Sequence, residues 1–123
     1  MSERAILATE KTHPAIREKI AANHRDIITE VENATSSHKV VVVGMGQNPV
    51  VKKARALLKT QGVDFHYLEY GNYLNTWRRR NALKMWTGWP TFPMVFVKGT
   101  LVGGAAELST LVESGELKTL LQD

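Results

Sequence analysis

A chain of 123 residues with a formal net charge of +4, 43% hydrophobic and 23% charged residues has the length and balance of one globular domain with its own core. It contains no cysteine, which excludes disulfides, a thiolate nucleophile and cysteinyl metal or iron–sulfur ligation by this chain alone. No apolar run approaches the ~20 residues of a membrane span, and the mixed-charge start MSERAILATEKTHPAIREK lacks a signal's apolar core, so a soluble, cytoplasmic protein without a membrane partner is expected.

Along residues 13–35, Ile16, Ile20, Ile27, Ile28 and Val31 recur near helical spacing among charged residues, predicting one long or two short amphipathic helices. Thr12 is the expected cap, with Pro14 in the first turn, and Ser36-Ser37-His38 reads as a short linker. This divides the chain into a helical extension, residues 1–37, and a main domain, residues 38–123. Val40 to Val43 then form an unbroken β-branched run suited to a central strand covered on both faces. Asn48 caps the next helix, Pro49 opens it, and Val50, Val51, Ala54, Leu57 and Leu58 make its apolar face. Lys52, Lys53, Arg55 and Lys59 face water.

VDFHYLEY (63–70) predicts a second strand, parallel to the first because a helix connects them. NTWRRRNALKMW (75–86) predicts a helix that ends where Gly88 and Pro90 break the pattern. PMVFVKGTLVGG (93–104) reads as two antiparallel strands around a Lys98-Gly99 turn. A helix carrying Leu108, Leu111 and Val112, a break at Ser114-Gly115 and a last turn with Leu117, Leu120 and Leu121 follow.

The segment GWPTFPMVFVKGTLVGGAAEL (88–108), together with KKARALL after the first turn, resembles the glutaredoxin family's WPTVPQVFI-x-G-x-x-I-G-G-x-x-x-L pattern. The resemblance covers about the last two-thirds of the chain. It implies an α/β, thioredoxin-like four-stranded mixed sheet flanked by helices, behind an N-terminal helical extension. Laid on the family's Cys-Pro-Tyr-Cys-Lys-Lys, the chain has Asn48-Pro49-Val50-Val51: the proline is kept and both cysteines are gone. A catalytic thiol is therefore absent, and these four positions are vestigial. Asn forms no mixed disulfide and Val resolves none, so thiol–disulfide exchange of the family kind is chemically closed.

What the resemblance leaves is a binding site made largely of backbone. Thr91-Phe92-Pro93 matches the family's cis-proline segment, where the residue before proline offers its N–H and C=O to glutathione as if to an added strand. Gly103-Gly104-Ala105-Ala106 matches the helix start that approaches the γ-glutamyl carboxylate, with Ala106 where the family has Asp or Ser. Arg80 aligns with a basic residue that grips the glycine carboxylate, and Lys84, one helical turn on, is its substitute. Met45 stands where the family has a carboxylate-binding lysine, and Gln47 and Asn48 complete the expected ligand set.

His13, His24, His38 and His66 have no metal-ligand spacing, so no metal site is expected. Trp77, Trp86 and Trp89 beside Arg78–Arg80 resemble a base-stacking surface, but the family resemblance puts Trp86 and Trp89 where aromatics pack as core or pocket wall, so no nucleic-acid partner is expected. The expected function is a redox-inactive module of the cell redox system, binding glutathione, a glutathione-bearing protein or an extended peptide and needing no cofactor. A protein partner or a homodimer through the N-terminal helices is expected as well. Two alternatives stay open: a glutathione-dependent transferase or isomerase using the ligand's own thiol, and an accessory in iron–sulfur delivery.

Overall fold

The valine run is the centre of the molecule. In the computed structural model, which describes residues 3–122, Val40–Gly44 forms β1 and every residue of it is buried. β2 (His66–Glu69) pairs parallel to it on one side, β3 (Met94–Val97) antiparallel on the other, and β4 (Thr100–Gly103) antiparallel at the far edge, giving the order β2-β1-β3-β4. Val41 thus stands between His66 and Phe96, and Val43 between Leu68 and Met94. Lys98 and Gly99 close the β3–β4 hairpin with φ of 49° and 81°, the positive pair that a two-residue turn requires when it follows the twist of its strands.

A short turn of 3₁₀ helix at Thr9–Lys11 precedes six α-helices: α1 (Pro14–Ala22), α2 (Arg25–Ser37), α3 (Pro49–Thr60), α4 (Trp77–Thr87), α5 (Ala105–Ser114) and α6 (Glu116–Leu121). Successive strand residues point to opposite faces, so the four valines seed two cores. Val40 and Val42 pack with Ala54 and Leu58 of α3, Leu108 of α5 and Leu117 of α6. Val41 and Val43 pack with Ile27, Val31 and Ala34 of α2 and Leu83 of α4. The second of the predicted leading helices therefore covers one face of the sheet. No helix of the described residues is long and apolar enough to cross a membrane.

The leading helical segment takes the two-helix alternative, broken at Asn23-His24 where His24 takes the left-handed conformation. Three local expectations change. The cap of α1 is His13, whose Nδ1 accepts the Ala15 N–H at 3.0 Å, while Thr12 lies one residue before the cap and donates its hydroxyl to the Thr9 carbonyl at 2.7 Å. Val50 points outward, 46% exposed, since the phase of α3 is set by Val51, Ala54 and Leu58. Arg55 is not on a solvated face: its guanidinium carbon lies 3.8 Å from the Tyr67 ring centroid and its Nε is buried without a partner.

Tyr67 in turn donates to Glu69 Oε1 at 2.8 Å. Burial first, then the hydrogen bond and negative charge of Glu69, push its phenol up to about 12, with Arg55 opposing. The folded pKa lies above the unfolded one, so this contribution to stability is complete below pH ~10 and is lost as pH rises through about 12. Denaturant midpoints should fall between about pH 9 and about pH 11, and less so in Tyr67→Phe. Equal falls in both proteins would exclude the effect.

Candidate functional site

The turn after β1 leads into α3 through Asn48, whose backbone is extended (φ −99°, ψ 115°), with Pro49 as the first helical residue. Asn48 Oδ1 accepts from both the Val50 N–H (2.9 Å) and the Val51 N–H (3.1 Å). Both partners are donors, so the accepting atom is the amide oxygen, and the amide nitrogen has no partner among the described residues. The exposed N–H groups and dipole of a helix start are what stabilise an anion. Here a neutral side chain already satisfies two of them. Val51 is 1% exposed and Met45 7% exposed, both inside the core beneath the turn, while Gln47 is exposed with φ 62°. Met45 therefore meets a ligand with its backbone at most, not with its side chain.

The Phe92–Pro93 peptide bond is cis. Phe92 is 7% exposed and shares one buried cluster with Met45, Val51 and Leu83, so the α3 turn and the proline segment meet over common ground. The Phe92 N–H and C=O have no hydrogen-bond partner among the described residues. Lys84 Nζ, on a half-buried side chain, lies 5.7 Å from the Phe92 ring centroid. Thr91 is exposed.

Gly104 abuts the proline: a Cβ there would lie 3.3 Å from the Pro93 carbonyl oxygen and 3.5 Å from Trp89 Nε1, which is buried and unpaired. Gly103 has φ 119°, and a Cβ on it would meet Glu107 Cγ at 2.7 Å. Glu107 reaches back so that its Oε1 accepts the Gly104 N–H at 2.9 Å. The start of α5 thus carries its own carboxylate, with half-buried Ala105 and exposed Ala106 beside it. The signal was readable, since a glutamate three residues after an N-cap is half of a capping box.

Arg80 is 6% exposed, and its Nη1 donates to the Tyr70 carbonyl (3.0 Å) and the Asn75 carbonyl (2.6 Å). Burial lowers its pKa. It holds the 70–76 segment, which also reaches the α3 turn because Gly46 N–H donates to the Gly71 carbonyl at 2.7 Å. Asn72 and Asn75 brace the same segment: Asn72 Oδ1 accepts the Leu74 N–H and Asn75 Oδ1 accepts the Asn72 N–H. Sequence reading passed over this loop and its tie to α2, where Tyr70 donates its hydroxyl to Glu30. Burial and that carboxylate hold the Tyr70 phenol well above its ordinary range. No three His, Asp or Glu side chains converge as a metal-holding group among the described residues.

The glutaredoxin family profile matches residues 40–102. A glutaredoxin-like protein of Dictyostelium discoideum is 45% identical over 95% of this chain and 94% of its own length. A probable monothiol glutaredoxin of Rickettsia typhi is 33% identical over 76% of this chain and 86% of its own. The crystal structure of a buckwheat glutaredoxin–glutathione complex superimposes with a TM-score of 0.72 over 81% of this chain and 91% of that one, at 21% identity, a likeness of fold. Matched from the first strand through the proline segment and into the fourth strand, the chain belongs to the glutaredoxin family, whose thioredoxin fold it keeps without a cysteine.

Proposed function

We propose that this protein is a glutaredoxin-family binding module without thiol–disulfide exchange, which holds glutathione, a glutathione-bearing protein or an extended peptide along the backbone of Phe92. The observation that carries the reading is the unpaired N–H and C=O of Phe92 beside the cis proline, a strand-like edge open to one more extended chain. Asn48 supports it by offering an unpaired amide nitrogen where a thiolate-forming residue is missing. Lys84, beside the Phe92 ring, supplies a cation on the same residue's flank.

Anion contacts are fewer than the family resemblance implies. Arg80 Nη1 is committed to two carbonyls, Met45 is buried in place of a lysine, and Glu107 places a negative charge at the α5 start. The ligand is therefore held more by its backbone than by its carboxylates. The transferase or isomerase reading needs N–H donors at the α3 start to activate a bound thiol, and the two in reach are taken by Asn48. No observation favours the iron–sulfur reading.

Titration with glutathione, and separately with an extended glutathionylated peptide, should move the amide resonances of Asn48, Phe92, Gly104 and Ala105. Conjugation of glutathione to a generic electrophile should stay at the uncatalysed rate. Lys84→Ala should weaken glutathione binding about three- to tenfold, the worth of a partly exposed charge contact. Silence of all four amides with both ligands would end the binding reading, and turnover that disappears on changing Asn48 would replace it with an enzyme.

A further inference from the structure

Two apolar surfaces of this chain are left open, and they complement one another. The first is a groove of about 510 Å³ between α1, α2 and α4, floored by Ile28, Ala82 and Trp86 and flanked by Ile20 and Met85, which are 58% and 63% exposed. Its rim carries Lys19 and Arg25, both exposed and neither joined to a carboxylate among the described residues. The second is the arm before α1, where Ile6 and Leu7 stand 69% and 67% exposed. Glu3 and Glu10 flank this pair, three residues away on either side, and both are exposed and unpaired. Arg4 ties the arm to the end of α4 by donating to the Trp86 carbonyl at 3.3 Å, so the arm starts at the groove's edge while its apolar pair projects into solvent.

We propose that the groove receives the Glu3–Glu10 arm of a second copy of this chain, and that two copies exchange arms about a two-fold axis. A two-fold interface uses the same patch on both subunits. Each copy therefore presents one arm and one groove, and both apolar surfaces are covered at once. The charges favour this occupant: the Glu3–Glu10 segment carries two carboxylates and one cation, Arg4, which is already held by the Trp86 carbonyl, so an apolar pair flanked by Glu3 and Glu10 faces an apolar groove rimmed by Lys19 and Arg25. The assembly does not depend on what the Phe92 edge binds.

Sedimentation of the full chain over a wide concentration range should show a monomer–dimer equilibrium. Ile6→Glu with Leu7→Glu, and separately Met85→Glu, should each raise the dimer dissociation constant about tenfold or more. Lys19→Glu with Arg25→Glu should weaken the dimer, and adding Glu3→Lys with Glu10→Lys should restore it, a rescue that general damage to the fold would not give. These positions are exposed, so melting curves recorded below the dimer dissociation constant, where the wild type is monomeric, should stay unchanged and verify folding. A monomer at every concentration overturns the proposal, as does a dimer indifferent to all these changes. Concentration-independent cross-linking between residues 6 and 85 also overturns it, because the arm would then close over its own groove.

Discussion

Asn48→Cys should turn an inert helix start into a reactive one, with an alkylation midpoint well below the ~8.5 of an ordinary cysteine. The position already gathers what a thiolate needs. Two backbone N–H groups converge on Oδ1 at 2.9 and 3.1 Å, and α3 runs twelve residues behind them, its positive end aimed at the same atom. A thiolate there takes over both donors, so the helix remains capped and the ionised form is the one favoured. With the midpoint near 6, the reactive fraction at that pH exceeds that of an unperturbed thiol by about a hundredfold. Since the natural chain has no cysteine, the signal belongs to one residue. Val51→Cys is the contrast: at 1% exposure among Met45, Phe92 and Leu83, its thiol should resist alkylation in the folded state. A midpoint for Asn48→Cys at or above 8.5 would mean that the turn has lost its anion-stabilising geometry along with its sulfur.

The same turn shows what a sequence exposes and what it hides. Val40 to Val43 read as a strand covered on both faces because no polar residue interrupts them, and Asn48-Pro49 reads as a helix start because each residue suits its own position without outside help. The Lys98-Gly99 turn and the Gly103-Gly104 pair are local in the same way. Ile27, Val31 and Ala34 announce an apolar helix face by their spacing, but spacing does not say which surface covers it, and only the folded chain lays them against Val41 and Val43. Val50 failed for a related reason: five apolar residues are more than one face of α3 holds, and the tertiary contacts of Val51, Ala54 and Leu58 decide which of them is turned outward. Arg80 is the sharpest case, because its carbonyl partners lie in a loop whose path no local pattern announces.

Arg80→Met should therefore destabilise the protein by about 2–4 kcal/mol, while Arg79→Ala, one residue away, should cost no more than about 1 kcal/mol. Arg79 pairs with Asp26 at 2.9 Å, but both side chains are largely exposed (41% and 70%), and water competes for each. Arg80 is shielded, and one of its nitrogens satisfies both the Tyr70 and Asn75 carbonyls. Methionine keeps much of the apolar stem and none of the donors, leaving two acceptors in and near the core without partners at roughly 1–3 kcal/mol each. Part of that loss is offset, because the variant no longer buries a cation that has no carboxylate beside it; the lowered pKa of Arg80 has this origin. The remainder should appear locally as well as globally. Amides of residues 71–76 should exchange faster with solvent in Arg80→Met, and because Gly46 hangs from the Gly71 carbonyl, the loosening should reach the α3 turn. Unchanged exchange there, with an unchanged denaturant midpoint, would remove Arg80 from the scaffold and return its charge to the ligand.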